Sequence, residues 1–277
     1  MMIARTTVPD YWPLMEAYHR VREPLYRRIL AEAWSGLRPG ALVLDAGCGD
    51  AFYSQLMAEV LGPEARIVAV DHNSALLKTH LDHSHAKRFD RCLSDIEQAG
   101  LCSGVFDAIW LCRTMHSAPD PLRRLESLRR LLQPGGRIVV VENDYAHYPI
   151  LALPAAFERR LVEARRQYLQ SECPNGVSME RYHAARHLAV WLEQAGFHEL
   201  CIHTYVSDDM APMPEEVETY WRLVLAWQMR RIEPFLSAED RQLYRRAFEP
   251  ESPDYLLRRP GFYCLELTTV GCGTRLA

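Results

Sequence analysis

The sequence predicts an α/β protein built on a doubly wound, parallel sheet, and two observations carry that prediction. Between about residues 41 and 141, apolar runs of strand length alternate five times with stretches whose apolar residues recur at helical spacing, the pattern of strands joined by helical crossovers. One run, Val105 to Cys112, is apolar almost throughout, as a strand covered on both faces must be. Ligands of such sheets bind at the carboxyl ends of the strands. The residues just past each run are therefore the candidates for function.

Taken in order, residues 1–40 carry Tyr11, Trp12, Tyr18, Leu25, Tyr26 and Ile29 at the spacing of an amphipathic helix or two, before the turn Leu37-Arg38-Pro39-Gly40. Ala41 to Leu44 is the first strand, ending at Asp45, and Phe52, Leu56 and Val60 open the first crossover helix. Gly62-Pro63 breaks it, Ile67 to Asp71 forms strand two, and His72, Asn73 and Ser74 can cap the helix bearing Leu76, Leu77 and Leu81. His80, His83 and His85 have metal-like spacing, but no cysteine or glutamate completes a set nearby, so no metal is expected. Arg91 to Asp95 is a short third strand and Val105 to Cys112 the fourth. Pro121 then opens a helix whose Leu122, Leu125, Leu128 and Leu132 form one stripe. Arg137 to Val141 is strand five.

Beyond it, 155–170 reads as an arginine-rich helix, 180–195 as another ending at Gly196, and Phe197 to Val206 as strand six. Pro214 and Glu215 start a helix through Trp221 and Ile232, Ser237 to Asp240 starts one by capping-box logic, and Gly261 to Val270 is the last strand.

The turn Asp45-Ala46-Gly47-Cys48-Gly49-Asp50-Ala51-Phe52 is the centre of the functional reading. Its glycines allow a tight turn with unusual φ, letting backbone approach a small molecule, and the free N–H groups at the helix start are expected to face an anion. A dinucleotide fingerprint needs a third glycine where Phe52 stands, which disfavours NAD. A phosphate loop needs Gly-Lys-Ser/Thr, and no lysine lies near, which disfavours ATP. A cofactor without phosphate fits better: Asp45 suits an ammonium group and Asp71 two ribose hydroxyls.

Composition narrows the classes further. The 277 residues suffice for one large core with an added cap. A formal net charge of −4 gives no electrostatic footprint for nucleic acid or an anionic membrane. Lys78 and Lys87 are the only lysines, which argues against a lysine Schiff base or general base. No run of about 18 apolar residues occurs, and eight cysteines lie scattered without a CxxC pair, so a cytoplasmic protein with reduced thiols is expected.

The turn and its surroundings resemble class I S-adenosylmethionine-dependent methyltransferases, whose first motif reads Asp-x-Gly-x-Gly-x-Gly. Asp45, Gly47 and Gly49 match, and Ala51 replaces the last glycine, a departure expected to be mild because alanine starts a helix well. Leu131 to Gly136 resembles the family's turn into strand five, and the likeness covers about residues 37–145. It implies a Rossmann-like sheet of seven strands, mostly parallel, whose last strand runs antiparallel beside strand six. It also implies a helical cap at 1–36 and a core at 37–277, with helical insertions at about 150–178 and 208–258 lying over the acceptor.

The cofactor implied is S-adenosylmethionine, leaving as S-adenosylhomocysteine, held by Asp45, Ala46, Gly47, Gly49, Tyr53, Asp71, His72, Cys112 and Arg113, with Asp95 at the adenine amino group and Ile96 on its ring. Arg113 to Pro121 is similar to the family's loop with a histidine pair before proline: His116 keeps one and Ser117 stands for the other. Methyl transfer needs alignment, a dry site and a nucleophile in the right protonation state. A hydroxyl acceptor needs a base, for which His116 and His147 are candidates, with Tyr145 a weaker one. Tyr11, Trp12, Tyr18, Tyr148 and Trp221 are candidate walls of an aromatic acceptor pocket, and Glu142 and Asp144 candidate contacts to the cofactor or an acceptor amine. The Glu142-Asn143-Asp144 run invites a magnesium reading, but the aspartates that catechol-type enzymes carry at other strands are not evident.

The expected reaction is transfer of a methyl group to O, N or C of a small, largely apolar or aromatic acceptor, a secondary metabolite, by a monomer or homodimer. An RNA or protein methyltransferase is an alternative, although the Asn/Asp-Pro-Pro-Tyr/Phe run of amino-group nucleobase enzymes is replaced here by Cys112-Arg113-Thr114-Met115. A non-catalytic protein that binds S-adenosylmethionine for regulation or interaction is the alternative of another class.

Overall fold

In the computed structural model, the structure describes residues 7–79, 89–98, 100–145, 147, 149–173 and 179–276. The histidine run at 80, 83 and 85 and the candidate Tyr148 lie outside the described residues.

The chain opens with α1 (Trp12–Ala33), whose buried residues Trp12, Tyr18, His19, Arg22, Tyr26, Ile29, Leu30 and Ala33 recur every three or four positions and form one face. Then follow β1 (Leu42–Ala46), α2 (Phe52–Leu61), β2 (Arg66–Asp71), α3 (Leu76–Thr79), β3 (Asp90–Leu93), β4 (Phe106–Cys112), α4 (Pro121–Leu131) and β5 (Leu132–Asn143). The second half supplies β6 (Ile150–Leu151), α5 (Ala155–Ser171), α6 (Ala184–Gln194), β7 (His198–Met210), α7 (Glu215–Ile232), α8 (Ala238–Phe248) and β8 (Tyr263–Thr274).

The strands form one sheet in the order β3-β2-β1-β4-β5-β8-β6, with β7 paired to the other side of β8. Pairings from β3 through β5 are parallel, and β8 runs antiparallel to β5, β6 and β7. The doubly wound architecture is as the sequence predicts. The structure adds an eighth strand, the two-residue β6, which continues the β5 side of β8 after the chain has left Asn143. The last two strands also run longer than expected, to Met210 and Thr274, because they pair along nearly their whole lengths.

Strand β4 shows how the two layers are sorted. All seven of its residues are buried: Ala108, Trp110 and Cys112 join the cluster packed by α1, α2 and α7, and Ile109 and Leu111 join the opposite cluster packed by α4 and α6. Strand order reverses between β1 and β4, so a crevice opens between their carboxyl ends, where ligands of this sheet type bind. The N-terminal segment is no appendage: Tyr18, Tyr26, Ile29 and Leu30 share one buried cluster with Trp110, Trp221 and Leu225.

A buried polar knot ties that layer to the far strands. Arg22 Nε donates to Glu266 Oε2 at 2.7 Å and Nη2 to Asp209 Oδ2 at 2.5 Å, joining α1 to β8 and β7. From α7, Tyr220 donates to Glu266 and Trp221 Nε1 to Asp209 at 2.8 Å. Burial by itself would lower the Arg22 pKa, but Glu266 and Asp209 outweigh it and hold it above its ordinary value. No helix among the described residues is long and apolar enough to cross a membrane.

Candidate functional site

The glycine turn joins β1 to α2, and the structure shows why each residue type is needed. Gly47 has φ +80°, and a Cβ placed there would meet Thr114 Cγ2 at 2.5 Å and Ile96 Cδ1 at 3.3 Å. Gly49 has φ +58° but faces open space. Both positions favour glycine for their φ; only Gly47 also needs it for room. Gly47→Ala should therefore cost about 2–4 kcal/mol and Gly49→Ala about 1–2 kcal/mol. Denaturant unfolding of the pair checks this, and equal losses would contradict it.

Ala51, expected to be a mild replacement for glycine, sits at the helix N-cap with φ +68°. Helix propensity misled that expectation, because the position lies in the left-handed region, where alanine is strained. The expectation that free N–H groups face an anion does not hold for most of the turn. The Gly47 and Cys48 N–H groups donate to Val70 O at 2.8 and 3.0 Å, Gly49 N–H to Asp71 Oδ2 at 2.9 Å, Ala51 N–H to Cys48 O at 2.8 Å and Phe52 N–H to Asp50 Oδ1 at 3.1 Å. The place a phosphate would take at the helix start holds the Asp50 carboxylate instead.

Three carboxylates thus gather at this turn. Asp45, 1% exposed, accepts from Ser54 Oγ at 2.6 Å. Burial, with Asp71 and Asp50 as like-charged neighbours, pushes its carboxyl up to about 7 against the opposing Ser54 hydrogen bond. Its pKa in the fold exceeds the ordinary 3.8, so the stability Asp45 contributes is complete below about pH 4 and lost as pH rises towards 7. An Asp45→Asn protein should lack that part of the decline, which thermal melts at pH 4 to 8 would show. Asp71 receives Asn73 N–H at 2.7 Å as well as Gly49, with His72 Nδ1 at 3.5 Å, and keeps lone pairs for two hydroxyls. Asp95 accepts from Glu97 N–H at 2.9 Å, and Ile96 is half-buried beside Gly47.

Across the crevice, the turn after β4 meets the end of β5. Glu142, fully buried, accepts Met115 N–H at 2.6 Å through Oε1, and its Oε2 lies 3.8 Å from His116 Nδ1. The Tyr145 ring packs on His116 at 4.5 Å, and burial pushes its phenol well above its ordinary pKa, which makes it a hydrogen-bond donor and a poor base. Arg113 stacks its guanidinium 3.6 Å over the Tyr18 ring. Cys112, at the end of β4, contacts Tyr26 Oη at 3.8 Å, and burial pushes its thiol up to about 12.

Other candidates fall elsewhere. Asp144 is paired with Arg186 and with His183 Nδ1 at 3.3 Å, and so is already neutralised. His147 is exposed beside His183, with ring centroids 6.2 Å apart. Trp221 is completely buried with its N–H on Asp209, inside the polar knot and not on an open wall. Tyr11 precedes α1 and Trp12 opens it, Ala46 closes β1, and Tyr53 is buried on α2 against Tyr26 and Trp110.

The sequence reading passed over two groups. Thr114 packs on Gly47, and His19 from α1 stacks on Phe52 at 4.0 Å with Nδ1 3.7 Å from Asp50, backing the turn. Only the helical register of α1 could have hinted at His19; nothing local marks Thr114.

A family model for a methyltransferase domain matches residues 37–200. The ubiquinone biosynthesis O-methyltransferase of Xanthomonas campestris pv. campestris (strain B100) is 32% identical over 161 residues, 57% of this chain and 62% of that protein. The first curated relatives are matched over 41% to 51% of their length, so the chain spans about half of them. Among solved structures, a protein of Bacillus halodurans C-125 named as a candidate methyltransferase superposes with a TM-score of 0.56 at 15% identity, over 90% of this chain and 99% of that one. Phosphoethanolamine N-methyltransferase 2 of Haemonchus contortus, solved with phosphomonomethylethanolamine and S-adenosylhomocysteine, gives a TM-score of 0.54 at 14% identity, over 97% and 58%. At such identities the superpositions speak for the fold alone.

Proposed function

Because the chain belongs to the methyltransferase domain family, we propose that it moves the methyl group of S-adenosylmethionine to a hydroxyl of a small, largely aromatic acceptor. The observation that carries this is the turn itself: Asp45, Asp50 and Asp71 gather around glycines whose N–H groups are already spent. Such a site suits a cation, and its glycine N–H groups are not free for a phosphate.

Asp45 would hold the ammonium group, Asp71 the ribose hydroxyls, and Asp95 with Ile96 the adenine edge and face. When bound, S-adenosylmethionine supplies an electrophilic methyl on a sulfonium, whose sulfur departs with the bonding pair as S-adenosylhomocysteine. His116 accepts the hydroxyl proton, and Glu142, fixed by the Met115 N–H, steadies the resulting imidazolium. Tyr145 positions the imidazole, and Tyr18 on α1 closes the crevice against water. A monomer or homodimer acting in the cytoplasm on a diffusible acceptor, without nucleic acid, fits this reading.

Incubating the protein with a metabolite extract and methyl-labelled S-adenosylmethionine tests it. The label should enter a small-molecule fraction; label in RNA or protein, or no turnover, would contradict it.

A further inference from the structure

Arg113 directly follows β4, with φ +54°. Its guanidinium is stacked on Tyr18, and Nη1 approaches the Met15 sulfur at 4.0 Å. Nε and Nη2 are buried, and among the described residues neither has a hydrogen-bond partner. Nor does any described carboxylate lie within ion-pair distance: Glu142 serves Met115 and faces His116 instead. Arg22 and Arg124 are matched, the first to Glu266 and the second to Glu97 and the Thr114 carbonyl, and Arg129 and Arg181 each have a single buried nitrogen without a partner where Arg113 has two. An arginine stays charged at any working pH, and a buried charge without a partner is costly. An anion seated in the fork would complete it with two parallel hydrogen bonds.

The surroundings say which ligand brings that anion. Thr114, the next residue, is the one that touches the glycine turn. Arg113 lies instead between Met15 and Tyr18 of α1, and it feels the phenol of Tyr145, the ring packed on His116. Arginine fork and imidazole thus share one tyrosine. We infer that Arg113 holds a carboxylate of the acceptor, so that the substrate class is an aromatic hydroxy acid whose hydroxyl faces His116. This rests on the methyltransferase reading. Arg113 is then a specificity residue: it fixes the acid end, and His116 takes the proton from the hydroxyl as the oxygen–methyl bond forms.

The amino-acid end of the methyl donor carries the same chemistry, so the test separates the two sources. Wild type, Arg113→Gln and Arg113→Lys are titrated with S-adenosylmethionine and with its decarboxylated form. They are then titrated, saturated with S-adenosylhomocysteine, with 4-hydroxybenzoate, 4-hydroxycinnamate, salicylate and the primary amide of each. Binding of S-adenosylmethionine by the wild type checks the underlying reading separately. The inference expects at least one acid to bind the wild type tenfold or more tighter than its amide. Arg113→Gln should abolish that preference while leaving donor affinity within about twofold, and Arg113→Lys should restore part of it. Melts guard against a folding artefact: only the stacking on Tyr18 and the long Met15 contact are lost, so apo Arg113→Gln should melt close to wild type. No acid preference across the panel, a preference that survives Arg113→Gln, or a large fall in melting temperature would overturn the inference. So would a tenfold loss for S-adenosylmethionine with none for its decarboxylated form, which would place the donor's carboxylate at Arg113.

Discussion

Replacing Arg22 by alanine should destabilise the protein by about 3–5 kcal/mol, the usual cost of removing one partner from a buried ion pair. Arg22 is 6% exposed, and it is the cation shared by Asp209 and Glu266, which is itself 2% exposed. Without it, two carboxylates from adjacent strands are left facing each other, with only the Tyr220 and Trp221 donors to steady them. The loss should be pH-dependent in a stated direction. Unpaired and buried, the carboxylates gain raised pKa values, so the variant should recover stability as pH falls and they take up protons. Because the knot joins α1, α7, β7 and β8, the layer formed by α1 and α7 should loosen with it. Urea unfolding of wild type and variant at pH 5 and pH 8 measures the effect. A loss under about 1 kcal/mol at pH 8 would mean that the knot is not what holds this layer.

Replacing His116 by glutamine should lower kcat by about 10²–10⁴, the range for losing a general base, with donor affinity little changed. Glutamine fills similar space and keeps hydrogen-bonding capacity but cannot take up a proton at neutral pH. Single-turnover rates and donor titrations of wild type and variant check both. A variant of undiminished rate would assign the proton transfer elsewhere or make a base unnecessary.

The core order of strands and helices was legible because period-two and period-3.6 patterns differ strongly where both faces are buried, as in β4. It failed where pairing and not burial makes the strand. β7 is exposed at most of its positions, and β6 has two residues, so neither gives a periodic signal of its true extent. The turn residues Asp45, Gly47, Gly49 and Asp71 could be read from local chemistry alone. What those donors bond could not, since Asp50 and Asp71 claim N–H groups that the sequence left free for a ligand. Ala51 misled because propensity describes helix interiors, whereas its own φ is left-handed. The knot and the His116–Glu142 pair escaped for a different reason: Arg22 stands 244 residues from Glu266, and the Met115–Glu142 hydrogen bond spans 27. No local pattern encodes such pairings.

The central claim is that a carboxylate-lined, phosphate-free turn holds a cationic methyl donor. Calorimetric titration of the wild type and Asp45→Asn with S-adenosylmethionine, between pH 6 and pH 8, tests it most directly. The Asp45 carboxyl titrates near 7 in the free protein, and the cation prefers the carboxylate, so wild-type affinity should be micromolar at pH 8 and weaken as pH falls below 7. Asp45→Asn should bind at least about tenfold more weakly at pH 8, with the pH dependence flattened. No binding by the wild type, or an affinity indifferent to both pH and Asp45, would contradict it.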